Sequence, residues 1–255
     1  NDFFTTMPCL LPSDKERFGV KVVSRILGRT PSLSSDILLY NSANGELLAL
    51  INADWITSMR TGAVATLAIK TLRSSSARKY SFIGLGNTAR ATLLCLLSSF
   101  PDEIFQVVLF RYKDQAEYFI DYFRTFGNVV FSVVDTMEEL VEDADVLVSC
   151  ITDADGLLIG NDALFKPGIL LVPVHTRGFQ NCDLFFDKVF ADDTEHVRSF
   201  RYFNQFKWFN EIGDVLDGTC RGRENDKERI LSYNIGLGLH DVFFASNIYD
   251  MITNR

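Results

Sequence analysis

Residues 80–89 read Tyr80-Ser81-Phe82-Ile83-Gly84-Leu85-Gly86-Asn87-Thr88-Ala89, an apolar run that ends in Gly-x-Gly-x-x-Ala. The run up to Gly84 has the pattern of a strand and Ala89 to Ser98 that of a helix, so the glycines occupy a strand-to-helix turn. In such a turn the first glycine permits the tight bend and the second lets backbone approach a pyrophosphate. The small third residue allows helix and strand to pack closely, with the helix N-terminus facing the anion. In this context Gly84, Gly86, Asn87, Thr88 and Ala89 read as a dinucleotide-binding turn; without it, the same glycines would serve an ordinary bend.

C-terminal to the turn, strand and helix patterns alternate. A strand at Gln106–Phe110 is followed by a helix at 114–126, a strand at Val129–Val133, a helix at 137–142 and a strand at 146–150. The apolar runs 169–174 and 188–191 extend the series, the second ending at Asp192-Asp193. Such alternation predicts an α/β fold, a Rossmann-type doubly wound parallel sheet. The N-terminal part has another character: short strands at 19–23, 36–40 and 47–51, the last two joined by an Asn44-Gly45 hairpin signal. A helix is expected over 57–72, with Met59, Ala63, Val64, Leu67 and Ala68 on one face and Thr57 or Ser58 as its cap. This start places Arg60 and Thr61 in the first turn. The helical pattern at 239–252 has broad apolar faces and packs back on the N-terminal part. With the polar stretch Arg73–Lys79 as a boundary, two domains follow: a smaller discontinuous α/β domain, 1–73 with 229–255, and a dinucleotide-binding domain, 74–228.

Composition narrows the partners. Of 255 residues 47% are hydrophobic, enough for a sizeable core, and the formal charge of −8 is dispersed rather than gathered into a basic patch. A small-molecule partner is expected, not nucleic acid or a membrane. Five scattered cysteines without CxxC spacing suggest reduced thiols in a cytoplasmic protein. His175, His196 and His240 lack metal-ligand spacing, so no metal is expected. No apolar run reaches bilayer-spanning length, and Asn1 in place of an initiator Met points to a trimmed N-terminus.

At the end of the second strand, binders of the unphosphorylated cofactor usually carry a carboxylate for the ribose 2′-hydroxyl. This chain has Phe110-Arg111-Tyr112-Lys113 there, so Arg111 and Lys113 favour NADP, with NAD possible; otherwise they are two solvated cations. Thr152, just past the strand at 146–150, is a further cofactor-side candidate. Lys21 either points to solvent from an edge strand or sits in a cleft, where burial would lower its pKa for acid–base work. Arg60 is either a carboxylate-binding group near a helix start or an ordinary surface arginine. His175-Thr176-Arg177 follows the strand ending at Val174, at the carboxyl edge where ligands bind, so His175 and Thr176 are catalytic candidates alongside Lys21.

Ile56-Thr57-Ser58-Met59-Arg60-Thr61-Gly62-Ala63 resembles the helix-opening signature of the ornithine cyclodeaminase and mu-crystallin family. Met7-Pro8 with Gly19-Val20-Lys21-Val22-Val23 resembles its preceding segment, and Ile83–Ala89 its dinucleotide turn. Glu211-Ile212-Gly213-Asp214-Val215, with Gly218 and Gly222-Arg223, is similar to the late signature, and Gly236-Leu237-Gly238 to Asp241 to the closing helix. The resemblance spans essentially the whole chain. It implies a homodimer acting on a small amino or imino acid, as an imine reductase, an amino-acid dehydrogenase, an ornithine cyclodeaminase, or a cofactor-binding protein of little turnover. By position, Lys21 and Arg60 would hold the substrate carboxylate, Thr61 would lie beside the cofactor phosphates, and Arg111 would receive a 2′-phosphate. Two departures count against cyclodeamination: Thr176 stands where cyclodeaminases carry an aspartate, and Thr6 precedes Met7-Pro8 where they carry a glutamate. Hydride transfer is therefore the leading expectation, with cyclodeamination as its alternative.

Overall fold

The computed structural model describes residues 2–151, 154, 156–174, 179 and 182–253. By packing, the chain forms two units, one from the residues up to Arg60 together with those from Gly236 onward, the other from Thr61–Ile235.

In the first unit, strands β1 (Phe3–Leu10), β2 (Arg17–Arg25), β3 (Leu33–Asn41) and β4 (Leu47–Asn52) form an antiparallel sheet in that order. The strands at 19–23, 36–40 and 47–51 lie inside β2, β3 and β4. β1, which lacks a clean alternation, is an addition to the expected set. It is held by pairing along its whole length with β2, Met7 opposite Lys21 and Leu10 opposite Phe18. Helix α1 (Asp54–Leu72) follows, its residues up to Arg60 counting with this unit and the remainder with the other. It begins at Asp54, three residues before Thr57, because the Asp54 carboxylate accepts from the Ser35 backbone N–H at 2.7 Å and ties the helix start to β3. Arg60 and Thr61 therefore sit nearly two turns in, not in the first turn as expected, and the positive end of the helix dipole does not reach them.

In the second unit, β5 (Lys79–Ile83) leads through its glycine turn into α2 (Asn87–Ser99). There follow β6 (Phe105–Phe110), α3 (Gln115–Tyr122), β7 (Val129–Val134), α4 (Met137–Val141), β8 (Val146–Ser149), β9 (Leu170–Pro173) and β10 (Lys188–Ala191). The segment closes with α5 (Thr194–Val197), β11 (Phe209–Glu211), α6 (Ile212–Leu216) and β12 (Ile230–Tyr233). Among the described residues the strands form one eight-stranded sheet in the order β11-β10-β12-β9-β8-β5-β6-β7. Every pairing in it is parallel. The Rossmann-type expectation is met.

Successive side chains of a strand go to opposite faces, and here both faces are buried. Phe82, Val107, Leu109 and Val148 pack with Ala89, Leu93 and Leu96 of α2, Phe119 of α3, and Ala65, Ile69 and Leu72 of α1. Ile83, Val108, Leu147 and Leu171 enter the opposite core with Leu140 and Val141 of α4, Phe165 and Phe186. Gly62 lets α1 lie directly on α2: a Cβ there would stand 2.5 Å from the Ala91 carbonyl carbon and 2.6 Å from the Thr92 nitrogen.

These packing units begin and end elsewhere than the domain boundaries expected at 73/74 and 228/229. Ala65–Leu72 joins the second unit because its apolar face covers the parallel sheet. Ile230–Tyr233 stays there because β12 is an interior strand, paired with β10 on one side and β9 on the other. The closing helix, α7 (Gly238–Thr253), belongs to the first unit and covers one face of its sheet, with Val242 against Leu11 and Leu39 and Ala245 against Ile37 and Ile56.

Candidate functional site

Within the first unit, three segments far apart in sequence meet at one carboxylate. Asp241, in the first turn of α7, has no exposed surface, and its Oδ2 lies 2.6 Å from Nζ of Lys21 on β2. Its Oδ1 accepts a hydrogen bond from Nε of Arg60 at 2.9 Å. Lys21 is as fully buried as Asp241, and Arg60 nearly so. Lys21 is in that position because of strand alternation: Gly19, Lys21 and Val23 turn to the face covered by α7, while Val20 and Val22 turn away. The edge-strand alternative for Lys21 is excluded, since β2 has β1 on one side and β3 on the other.

The cluster's electrostatics are unbalanced. Two cations face one carboxylate, so with Lys21 protonated the buried group carries an excess positive charge. Burial, and then the charge of Arg60, lower the Lys21 pKa from the ordinary 10.5 to about 8, against the opposing pull of Asp241. Neither cation is satisfied. The Lys21 ammonium has three donors and meets a single carboxylate oxygen of Asp241, and Nη1 of Arg60, buried, donates to no acceptor among the described residues. The guanidinium lies against Gly236, whose φ of +100° and crowding by Nη1 of Arg60 leave no room for a side chain. Buried donors left over in a positively charged cluster suit an anion with two acceptor oxygens.

Within the second unit, Gly84 takes φ +77°, and a Cβ on it would meet the Cys150 carbonyl carbon at 2.6 Å, so the turn is pressed against the end of β8. Gly86 is different: a Cβ there would project into open space. It caps α2 without a side-chain hydrogen bond, so the first N–H groups of a 13-residue helix point outward unpaired by any capping group. Ala89 is buried against the sheet. β5 lies between β6 and β8, the point at which strand order reverses, and this is where doubly wound sheets bind dinucleotides. A cleft of about 480 Å³ lies there, lined by Ile83, Gly84, Gly86, Phe110, Tyr112, Gln115, Cys150 and Ile151. A small backbone cradle at a helix N-terminus, with an adjoining apolar and aromatic slot, fits a pyrophosphate and an adenosine.

Thr61 is buried in α1, one residue before the crossing onto α2. Arg111 is exposed and donates to Asp135 and Glu117, while Lys113 lies with its ammonium 5.2 Å from the Tyr112 ring centre. Asn87 and Thr88 open α2. His175, Thr176 and Thr152 lie outside the described residues. Asp241 was not singled out as a site residue by the sequence. An acidic residue in a helix's first turn is commonplace, and its one distinguishing signal is the family-like Gly236-Leu237-Gly238 that precedes it.

A doubly wound parallel sheet with a glycine turn at its switch point in one unit, and a buried cationic cluster in the other, fit a dinucleotide and a small carboxylate. The chain matches the model of the ornithine cyclodeaminase/mu-crystallin family over residues 1–255, and it belongs to that family. It is 27% identical to the nodulation efficiency protein NfeD of Rhizobium meliloti, over 96% of this chain and 78% of that protein. It is also 27% identical to a Delta(1)-pyrroline-2-carboxylate reductase of Bacillus cereus, over 92% of this chain and 77% of the relative. The Thermococcus litoralis Delta(1)-pyrroline-2-carboxylate reductase, solved in complex with NADH and L-proline, shares the fold with a TM-score of 0.86 at 24% identity, covering 100% of this chain and 84% of that one.

Replacing Asp241 by Asn leaves Lys21 and Arg60 buried without a counter-charge, which is expected to cost about 3–5 kcal/mol in urea denaturation at neutral pH. Losing the carboxylate lowers the Lys21 pKa further, so below about pH 8 the folded variant binds fewer protons than the wild type. Its deficit should therefore shrink as pH rises towards 8. A small deficit that does not change with pH would show that the cluster is not charged as described.

Proposed function

We propose that the chain is an NAD(P)-dependent oxidoreductase that interconverts a small imino acid, cyclic ones included, and the corresponding amino acid. The observation that carries this reading is the buried Lys21–Asp241–Arg60 cluster with its excess positive charge and unspent donors. A monocarboxylate neutralises it, with Arg60 giving a guanidinium fork and Lys21 an ammonium. The dinucleotide, when bound, supplies or accepts the hydride. Gly84, Gly86 and the N-terminus of α2 hold its pyrophosphate, and Thr61 supports the phosphate region. Asp241 holds both cations in register for the substrate. A Lys21 pKa of about 8 lets this side chain keep a proton at neutral pH and give it up to the nascent amine, which is the range in which general acids work best. Because Lys21 has no exposed surface, a substrate reaches it only when neighbouring side chains yield.

The same reading includes a homodimer in a reducing compartment. All five cysteines are free thiols, which suits the cytosol. The sheet face of the first unit opposite α7 carries Leu10, Phe18, Val20, Leu38, Tyr40 and Leu50, with Leu10 and Leu50 more than half exposed. An apolar face of antiparallel strands can pair with the same face of a second copy about a two-fold axis. Leu50→Glu should convert the dimer to a monomer in light scattering after size exclusion. A wild-type monomer would end the dimer reading.

The test of activity is direct. Purified protein with NADPH or NADH, offered cyclic imino acids or 2-oxo acids with amines, should oxidise the nicotinamide, and Lys21→Ala should abolish this while dinucleotide binding persists. In the direction of imine reduction kcat/KM should fall as pH rises through about 8, since the general acid is then lost; amine oxidation should rise through the same range. Ammonia release from ornithine without net oxidation would point to cyclodeamination instead.

A further inference from the structure

The choice between NAD and NADP rests on what meets the 2′ position of the adenosine ribose, at the end of β6. By sequence that position lacks a carboxylate, and Arg111 stands there instead. The fold changes the picture by bringing two carboxylates to the same guanidinium. Asp135, the residue after β7, accepts from Nε of Arg111 at 2.7 Å, and Glu117, on α3, accepts from Nη1 at 2.9 Å. The backbone on both sides is fixed: the Arg111 N–H donates to the Val134 carbonyl at 2.9 Å, and the Asp135 N–H to the Glu139 carboxylate at 3.2 Å. Phe110, Tyr112 and Gln115 from the same loop and helix line the nucleotide cleft, so this cluster stands at its rim.

The local charge decides what the cluster prefers. Arg111 and Lys113 are outnumbered by Asp114, Glu117 and Asp135, and the Lys113 ammonium is turned over the Tyr112 ring. A phosphate monoester carries nearly two negative charges near neutral pH. To reach the guanidinium it must displace at least one carboxylate and then remain beside both. A 2′-hydroxyl is neutral and meets no such repulsion.

Accepting the dinucleotide-binding reading of the cleft, on which this inference rests, we propose that Glu117 and Asp135 are nucleotide-discriminating residues. By engaging Arg111 they cancel the advantage its charge would give a 2′-phosphate, so the protein binds NADH at least as tightly as NADPH. This reverses the preference for NADP drawn from Arg111 and Lys113 in the sequence.

The experiment is equilibrium binding of NADH and NADPH, read from the fluorescence of the bound nicotinamide. The proteins are the wild type, Glu117→Gln, Asp135→Asn, the double variant, and the double variant with Arg111→Ala. All three side chains are well exposed, so the fold is expected to survive. The double variant should tighten NADPH about tenfold, the scale for removing two unit charges a few ångströms from a phosphate in water, and leave NADH unchanged. Added salt should shrink that gain, and Arg111→Ala should remove it. A wild type that strongly prefers NADPH, or a double variant with an unchanged NADPH-to-NADH ratio, would overturn the proposal. Failure of the wild type to bind either nucleotide would overturn the underlying dinucleotide reading, and the inference with it.

Discussion

The carboxylate of Asp241 holds two buried cations, and the chemistry assigned to the first unit depends on that arrangement. Ionised groups are costly to bury unless they are paired, and here three of them are buried together with the pairing incomplete. Lys21 comes from the middle strand pair of the sheet, Arg60 from the helix that follows it, and Asp241 from the helix that closes the chain. The unit thus needs both ends of the chain before its charges can meet. Its glycines serve the same end: Gly19 leaves room for Val242, and Gly236 leaves room for the Arg60 guanidinium. What remains is a site with one positive charge to spare and a lysine poised near neutrality.

The second unit is governed by a different constraint. Its interior strands β8, β9 and β12 are buried along their whole length, so most of their residues are apolar and the loops at the carboxyl edge are left to meet a ligand. The glycine turn, the N-terminus of α2 and the end of β6 lie along that edge. The turn presents backbone N–H groups at a helix N-terminus, whereas the end of β6 carries the charged cluster of Arg111, Glu117 and Asp135. On the proposed reading, affinity and discrimination come from different parts of the fold, one built into the sheet, the other on exposed side chains.

Much of this architecture was legible in the sequence because it rests on local signals. Alternating strands and helices pointed to the parallel sheet, and Gly84-Leu85-Gly86 with Ala89 to the tight turn between β5 and α2. β1 was missed because Thr5, Thr6 and Pro8 break its apolar pattern and only pairing with β2 makes it a strand. β12 was missed for a similar reason: four residues gain their identity by insertion between two strands that lie some 40 and 60 positions earlier, on the order expected for non-local pairing. Lys21 and Arg60 were recognised as candidates, but the partner that fixes them was not, since burial of Asp241 is a property of tertiary packing. At Arg111 the sequence showed the cation and hid its carboxylates, which arrive from α3 and from the end of β7.

Titration of the Lys21 side chain measures most directly whether this buried lysine is poised within a carboxylate-binding cluster. Protein labelled with carbon-13 at lysine Cε, assigned through Lys21→Met, would be followed by NMR across the alkaline range, alone and with pyrrole-2-carboxylate as a planar analogue of a cyclic imino acid. One lysine should titrate near 8 and move upward when the carboxylate binds, because a new negative charge favours the ammonium. A Lys21 that titrates near the ordinary 10.5, or that ignores the carboxylate, would contradict it.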